Sequence, residues 1–198
     1  CIRDRWYSLI DKVYLLPNLE QAYREVRRNK GSRTKGVDNQ SMTDFESALE
    51  KNLCQLSEEL KEGSYRPSPV RRVYIDKPDG SKRGLGIPTI RDRVVQQSLL
   101  KVLQPIFDPE FHPSSYGYRP KRSSHHAIAK AERFSRYYGL KHVADMDLSK
   151  CFDTLDHRLI VQSVGRRVSD GKILKLIEHF LKAGALERER FEPAVKGS

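Results

Sequence analysis

The sequence contains little cysteine, methionine or tryptophan: 3, 2 and 1 of each among 198 residues. Cys1, Cys54 and Cys151 are odd in number and far apart, so they suggest neither a disulfide framework nor a zinc site. No apolar run approaches the roughly 18 residues that cross a bilayer. The opening CIRDRWY also lacks the apolar centre of a signal peptide. We therefore expect a protein of a reducing, cytoplasmic compartment with no membrane partner.

Acidic residues are also in short supply. Asp and Glu number 26 against 37 Lys and Arg, which gives a formal net charge of +11. The basic residues cluster at 24–35, 66–93 and 119–122, and tyrosines are interleaved with them. This pattern is typical of a surface that follows phosphates and stacks bases on aromatic rings. A solvated basic face explains the charge equally well.

Apolar spacing in the N-terminal third predicts three helices, over 2–16, 18–29 and 43–61. Asn18 and Gln21 resemble a capping box at the start of the second helix. Residues 30–36 (KGSRTKG) are too polar and too rich in glycine for a regular element, so we expect a loop there.

In the middle of the chain, the spacing of apolar residues changes from helical to alternating. Residues 65–88 alternate apolar and polar positions around a Pro-Asp-Gly turn signal at 78–80, which predicts a β-hairpin with basic arms. Thr89 and Asp92 predict the cap of a helix that ends near 105–109.

The C-terminal third is predicted to contain a loop over 112–122, a helix over 123–139 with its apolar residues facing inward, and a strand over 140–148. Asp156 and Asp170 can each cap a further helix.

The predicted strand carries the acids of interest. Asp145 and Asp147 would share one face, and an acid at the end of a strand lies at the rim of a sheet, where a ligand can reach it. Such a carboxylate, with a backbone carbonyl, could hold Mg²⁺ on a nucleotide. On pattern alone, an Asp at a strand end more often caps the next turn.

Four stretches carry a resemblance to a known family: KGSRTKGVD (30–38), residues 65–96, SSYGYRPKRSSHHAI (114–128) and VADMDLSKCFDTLDH (143–157). They are similar to the N-terminal half of group II intron-type (maturase) reverse transcriptases. The resemblance implies an α+β fold, with right-hand polymerase fingers, N-terminal helices and part of an αβ palm. It further implies three subdivisions: a helical extension with a template-side loop at 1–62, fingers at 63–122 and a partial palm at 123–198.

The resemblance also implies roles for single residues. Asp147 matches the first catalytic aspartate, a ligand of both Mg²⁺ ions, and Leu148 would lend its backbone carbonyl to one of them. Phe152 matches the ring that stacks under the deoxyribose of a dNTP and excludes a 2′-OH. Lys77 and Arg83, on the two arms of the hairpin, match the cations that close on the triphosphate.

Template RNA is expected at two basic segments. The resemblance places it on the loop residues Lys30, Gly31, Ser32, Arg33 and Thr34. The pair Arg71 and Arg72 could grip template phosphate or simply solvate an edge strand.

One departure from the family pattern shapes the expected activity. The paired aspartates of a later palm hairpin, Tyr-Ala-Asp-Asp or similar, do not occur in this sequence. We therefore expect the parent protein to be an RNA-directed DNA polymerase, a nucleotidyltransferase acting with RNA template, primer DNA and dNTP. The present chain should bind Mg²⁺ weakly and not polymerise.

Two alternatives and one assembly state stay open at this point. The chain could be a non-catalytic module that binds intron RNA, or an unrelated basic helical scaffold, which the absence of a strand at 140–148 would favour. A palm without its remaining strands exposes apolar surface, so a homodimer is expected.

Overall fold

The computed structural model describes residues 5–148, 151–187 and 190–197, without the side chain of Asp153. Internal contacts divide the chain into two compact units, Cys1–Val102 with Lys150–Ser198, and Leu103–Ser149. The predicted subdivisions at 62/63 and 122/123 concern functional subdomains and stay predictions. Cys1 lies outside the described residues, and Cys54 and Cys151 are free thiols.

Nine α-helices, one short 3-10 helix (Asp108–Glu110) and four strands make up the regular structure of the described residues. The helices are α1 (Ile10–Tyr14), α2 (Leu16–Arg28), α3 (Met42–Ser47), α4 (Leu49–Glu62), α5 (Ile90–Phe107), α6 (Ser124–Tyr138), α7 (Cys151–Thr154), α8 (His157–Gly165) and α9 (Gly171–Lys182). The strands are β1 (Val70–Asp76), β2 (Lys82–Ile87), β3 (Ala185–Glu187) and β4 (Arg190–Glu192). This mixture of helices with one small sheet confirms the α+β fold.

The core of the first unit lies among α1, α2 and α4, which pack on one another. Both longer helices bury a stripe with helical spacing, because residues three and four apart share a face. The buried members are Leu19, Ala22, Tyr23 and Val26 on α2, and Leu53, Leu56 and Leu60 on α4.

The N-terminal prediction of one helix over 2–16 was wrong. Of the described residues in this range, 5–9 are not helical, α1 covers Ile10–Tyr14, and Leu16 already belongs to α2. Trp6 forms a β-bridge with Val168, in which the Ser169 N–H donates to the Trp6 carbonyl at 2.8 Å. The backbone N–H groups of Leu9 and Ile10 donate to the carboxylate of Asp170, at 2.7 and 2.9 Å. These distant partners bind the backbone of Trp6, Leu9 and Ile10, and a short-range pattern could not reveal them.

Two further helix boundaries differ from the prediction. α2 begins at Leu16, and Asn18 does not cap it, since its amide donates to the Ser98 hydroxyl at 2.8 Å. The predicted helix over 43–61 breaks at Ala48 into α3 and α4. The Asn52 amide donates to the Phe45 carbonyl near the break, which satisfies a group that the helix no longer pairs.

The sheet has the order β2-β1-β3-β4. β1 and β2 form the predicted antiparallel hairpin, with Val73 opposite Leu85, and Gly80 adopts the left-handed conformation (φ 78°) that its turn requires. β3 pairs parallel to β1 and antiparallel to β4. The hairpin could be predicted from local alternation, whereas the parallel pairing joins segments more than 100 residues apart.

The start of α5 is fixed by a buried carboxylate. The Asp92 N–H donates to the Thr89 hydroxyl at 3.1 Å, and that hydroxyl donates back to Asp92 at 2.7 Å. Asp92 also accepts from the Tyr65 hydroxyl at 2.5 Å and from the Ser68 N–H at 3.2 Å. Burial raises the pKa of Asp92 above its ordinary value, although these donors oppose the shift. The predicted cap is therefore confirmed, and so is the end of α5 near 105–109.

The second unit differs in character from the first, because none of its described residues (103–148) is buried. α6 ends at Gly139 in the left-handed conformation (φ 64°), as predicted. Its apolar face does not point inward, since Phe134 and Tyr138 are 41% and 61% exposed. That part of the prediction was wrong.

The strand predicted over 140–148 is also absent, and these residues are irregular and exposed. A strand needs a neighbour for its N–H and C=O groups. No described residue pairs with this segment, so alternation by itself could not make it a strand.

Candidate nucleic-acid interface

Residues 30–36, which we call the template-side loop, are held by arginines from elsewhere in the first unit. The Arg93 guanidinium donates to three backbone carbonyls, those of Pro88 and Gly31, both at 3.0 Å, and that of Thr34. Arg71 donates through two nitrogens to the Lys35 carbonyl, at 3.0 and 2.7 Å. The loop backbone is thereby tied to β1 and to the start of α5.

A glycine completes this attachment. Gly36 is buried, and a Cβ at its position would lie 2.7 Å from the Cα of Thr89 and 2.8 Å from its nitrogen. The atoms that a Cβ would meet belong to the backbone of Thr89, so any residue other than glycine would force one of the two backbone segments to move. A Cβ at Gly31, in contrast, would have no other atom within 4 Å.

The attachment gives the loop a definite polarity. Its carbonyls accept hydrogen bonds from the protein, while the side chains of Lys30, Arg33 and Lys35 are exposed. A loop arranged in this way presents cations outward on a fixed backbone, as phosphate binding requires.

Beside the loop lies an open cleft of about 740 Å³, and four of its ten lining residues are basic. We call it the basic cleft. It is lined by Arg27, Arg28, Asn29, Lys30, Ser32, Arg33, Ser41, Met42, Thr43 and Glu46. Four cations thus face one carboxylate, so the cleft carries a positive potential suited to a polyanion.

The single acid of the cleft is engaged. Glu46 pairs with Arg27 at 2.8 Å and accepts from the Tyr23 hydroxyl at 2.6 Å. Burial raises the pKa of Tyr23 to about 12, with Glu46 adding to the shift. Arg28, Lys30 and Arg33 have exposed side chains.

The hairpin carries the two predicted triphosphate cations near its turn. Arg83 lies opposite Ile75 in the register, and alternation places Lys77 on the face of Ile75 as well. Both side chains are exposed, and the turn closes through the Lys77 N–H, which donates to the Ser81 carbonyl at 2.8 Å. The two cations therefore lie on one face of one hairpin.

Arg71 and Arg72 point to opposite faces of β1, as neighbours on a strand do. Arg71 is committed to the template-side loop. Arg72 lies over Gly84 together with the ring of Tyr74, whose hydroxyl donates to Glu187 at 2.8 Å. The two arginines therefore do not form a single phosphate-binding site.

The residues matched to the catalytic region are open to solvent. Leu148 and Phe152 are 76% and 70% exposed, and Asp147 is exposed too. Asp147 and Leu148 belong to the second unit, while Phe152, in α7, belongs to the first together with Lys77 and Arg83. The catalytic and dNTP-binding roles of these residues stay predictions.

Asp147 and the Leu148 carbonyl supply the oxygen donors that Mg²⁺ prefers. Among the described residues, however, no group of three or more His, Cys, Asp or Glu side chains is placed to hold a metal. The Mg²⁺ ligand roles of Asp147 and Leu148 stay predictions. No described helix combines the length and apolar character needed to cross a membrane.

Three contributors to the interface were not singled out from the sequence. Arg27 and Arg28 belong to a basic cluster that is visible in the sequence, but only the fold shows that they share a cleft with the loop. Arg93 follows the cap of α5, and no local pattern indicates that it reaches back about 60 residues to the loop.

Comparison with known proteins supports this interpretation. Residues 75–196 match the family Reverse transcriptase (RNA-dependent DNA polymerase). The chain is 41% identical to Protein YkfC of Escherichia coli (strain K12) over 182 residues, which cover 90% of this chain and 48% of that protein. It is 34% identical to the group II intron-encoded protein LtrA of Lactococcus lactis subsp. cremoris, over 98% of this chain and 32% of that protein.

More distant relatives include nuclear intron maturase 1, mitochondrial, of Arabidopsis thaliana, at 30% identity over 62% of this chain and 18% of that protein. The chain spans half or less of the length of each of these relatives. The match also sets aside an unrelated helical scaffold, which the missing strand at 140–148 would have favoured. The chain belongs to the reverse transcriptase family, in its group II intron type.

Proposed function

We propose that this chain is the template-binding part of a group II intron-type reverse transcriptase, comprising fingers and part of the palm. The basic cleft and the template-side loop hold the phosphates of the RNA template or of intron RNA. The observation that carries the proposal is the attachment of the loop beside the cleft, with carbonyls inward and cations outward.

RNA binding is tested with a labelled single-stranded RNA, titrated at several salt concentrations by fluorescence anisotropy. Each phosphate contact contributes about −0.7 to the slope of log K against log salt for single strands. The double variant Lys30→Ala/Arg33→Ala should make that slope less negative by about 1.4 and weaken binding at low salt.

The matched control removes the same charge from another element. Lys51→Ala/Lys61→Ala alters two exposed lysines of α4 that do not line the basic cleft. If this control weakens binding as much as the loop variant does, the loop is not the binding site.

We further propose that Lys77 and Arg83 bind the triphosphate of a dNTP, with Phe152 below its sugar. Their placement on one face of the hairpin supports this role, since two cations there can converge on one anion. Lys77→Ala or Arg83→Ala should weaken dNTP binding roughly tenfold. Lys82→Ala is the control, because Lys82 lies beside Arg83 but on the other face; an equal loss there would contradict the assignment.

The paired aspartates that the family places on a later palm hairpin do not occur in this sequence. We propose that Asp147 provides one metal-binding carboxylate of the parent polymerase and that Mg²⁺ binds this chain weakly. A primer-extension assay with Mg²⁺ should show no synthesis by the 198-residue chain. Robust synthesis that Asp147→Asn abolishes would overturn this.

The second candidate function is a non-catalytic maturase module that binds intron RNA. The basic cleft favours it, because the cleft needs no metal or nucleotide to bind phosphate. RNA affinity should then tolerate Asp147→Asn and fall steeply with salt. Weak RNA binding at low salt would contradict both this function and the template-binding proposal.

A further inference from the structure

Arg93 differs from the other cations near the interface in where its hydrogen bonds go. Its acceptors are backbone carbonyls of two segments that are far apart in sequence: Pro88, just before α5, and Gly31 and Thr34 in the template-side loop. Its side chain is half-buried, and burial lowers the pKa of its guanidinium. An arginine engaged in this way has few donors left for an RNA phosphate.

Arg71 repeats the arrangement from β1 with two donors on the Lys35 carbonyl. Three loop carbonyls are therefore held by two guanidinium groups, and Gly36 is pressed against the backbone of Thr89. These contacts fix the loop at both ends, between the cleft residues and the hairpin.

We propose that Arg93, supported by Arg71, is a positioning residue for RNA binding. It holds the backbone of the template-side loop so that Lys30 and Arg33 stay on the wall of the basic cleft. The inference rests on the proposed RNA-binding function and assigns to Arg93 an indirect role, without phosphate contact. Preorganisation of this kind raises affinity, because the loop does not have to be ordered when RNA binds.

The test uses a substitution that keeps the charge. Arg93→Lys retains one positive charge but loses the planar fork that spans three carbonyls. RNA affinity of the 198-residue chain should fall roughly fivefold, and amide hydrogen exchange of residues 31–36 should accelerate. Arg71→Lys should act in the same direction. Circular dichroism verifies that each variant keeps its helix content.

Arg91→Lys is the matched control. It makes the same change two residues away on α5, where the guanidinium contacts Glu59 and the ring of Tyr65 and not the loop. It should leave both RNA affinity and loop exchange unchanged.

A double-mutant comparison separates positioning from direct contact. In the Lys30→Ala/Arg33→Ala background, Arg93→Lys should cause no further loss of RNA affinity, because the side chains it positions are gone. An undiminished fivefold loss in that background would overturn the inference, and so would wild-type affinity for Arg93→Lys alone. If the loop double variant itself binds RNA like the wild type, the proposed function fails instead.

Discussion

At the scale of single residues, Asp170 joins two distant parts of the chain. One carboxylate oxygen caps α9 through the N–H groups of Lys172 and Ile173, and the other accepts from Leu9 and Ile10. Burial raises the pKa of Asp170, but the four backbone donors outweigh it, so the pKa lies below its ordinary value. The residue is therefore both a helix cap and a tether for the N-terminal segment.

Asp170→Ala should lower the free energy of unfolding by about 2–4 kcal/mol, since it removes the cap and leaves the buried N–H of Leu9 and the partly buried N–H of Ile10 without their acceptor. Asp156→Ala, at the cap of α8, is the control. It accepts from the Arg158 N–H and pairs with the Arg158 side chain, so only a local cap is lost, worth about 1 kcal/mol. Urea denaturation measures both; equal losses would contradict the tether.

The same carboxylate predicts a pH dependence. Because the folded pKa of Asp170 is lower than its unfolded value of about 3.9, the ionised group stabilises the fold above that pH. This contribution is lost as pH falls through the folded pKa. Urea midpoints measured from pH 6 down to pH 2 should therefore fall less steeply for Asp170→Ala than for the wild type.

Two buried tyrosines offer a second comparison. The hydroxyl of Tyr65 donates to the buried Asp92, whereas that of Tyr23 donates to Glu46, which is partly exposed and paired with Arg27. Tyr65→Phe should cost about 1–3 kcal/mol, because a buried carboxylate oxygen loses its donor. Tyr23→Phe should cost less, since water can replace the hydroxyl. Thermal unfolding of both variants tests this order.

At the scale of elements, the template-side loop depends on a contact that only glycine allows. Gly36→Ala places a Cβ against the backbone of Thr89, so we expect a loss of about 1–3 kcal/mol and a displaced loop. Gly31→Ala, where space is open, should be tolerated. Denaturation and RNA titration of the two variants provide the measurement, and equal behaviour would contradict the docking of the loop.

The hairpin and α6 illustrate opposite outcomes for a local pattern. Alternation together with a Pro-Asp-Gly turn suffices for β1 and β2, because each strand supplies the other's hydrogen bonds. α6 also forms as predicted from spacing and its terminal glycine, yet its apolar face is exposed. A periodic pattern determines that a helix has an apolar face but does not supply the surface that covers it.

At the scale of the whole molecule, burial is unevenly distributed between the two units. The buried residues among those described all lie in the first unit, and 103–148 contains none. Local stability follows buried contacts. Amide hydrogen exchange in α6 should therefore be faster than in α2 on the order of a thousandfold. Protection of α6 equal to that of α2 would contradict this.

Charge is the other property of the whole molecule. The chain carries 37 Lys and Arg against 26 Asp and Glu, and the four cations of the basic cleft all come from the sequence cluster at 24–35. The fold adds the opposite part of the lining, from Ser41 to Glu46, which carries only one carboxylate. The expected homodimer stays a prediction, and light scattering at high protein concentration tests it.

The sequence by itself determined the family, the α+β class, the hairpin and the caps at Thr89, Asp156 and Asp170, because motifs and local hydrogen bonds act within a few residues. Only the tertiary structure decided the pairing of Trp6 with Val168, the parallel pairing of β1 with β3 and the hydrogen bonds from Arg93 to the template-side loop. Each of these depends on groups that lie tens to hundreds of residues apart in the chain. Local periodicity contains no information about which distant donor meets which acceptor. Those pairs are determined only when the chain packs into its folded structure.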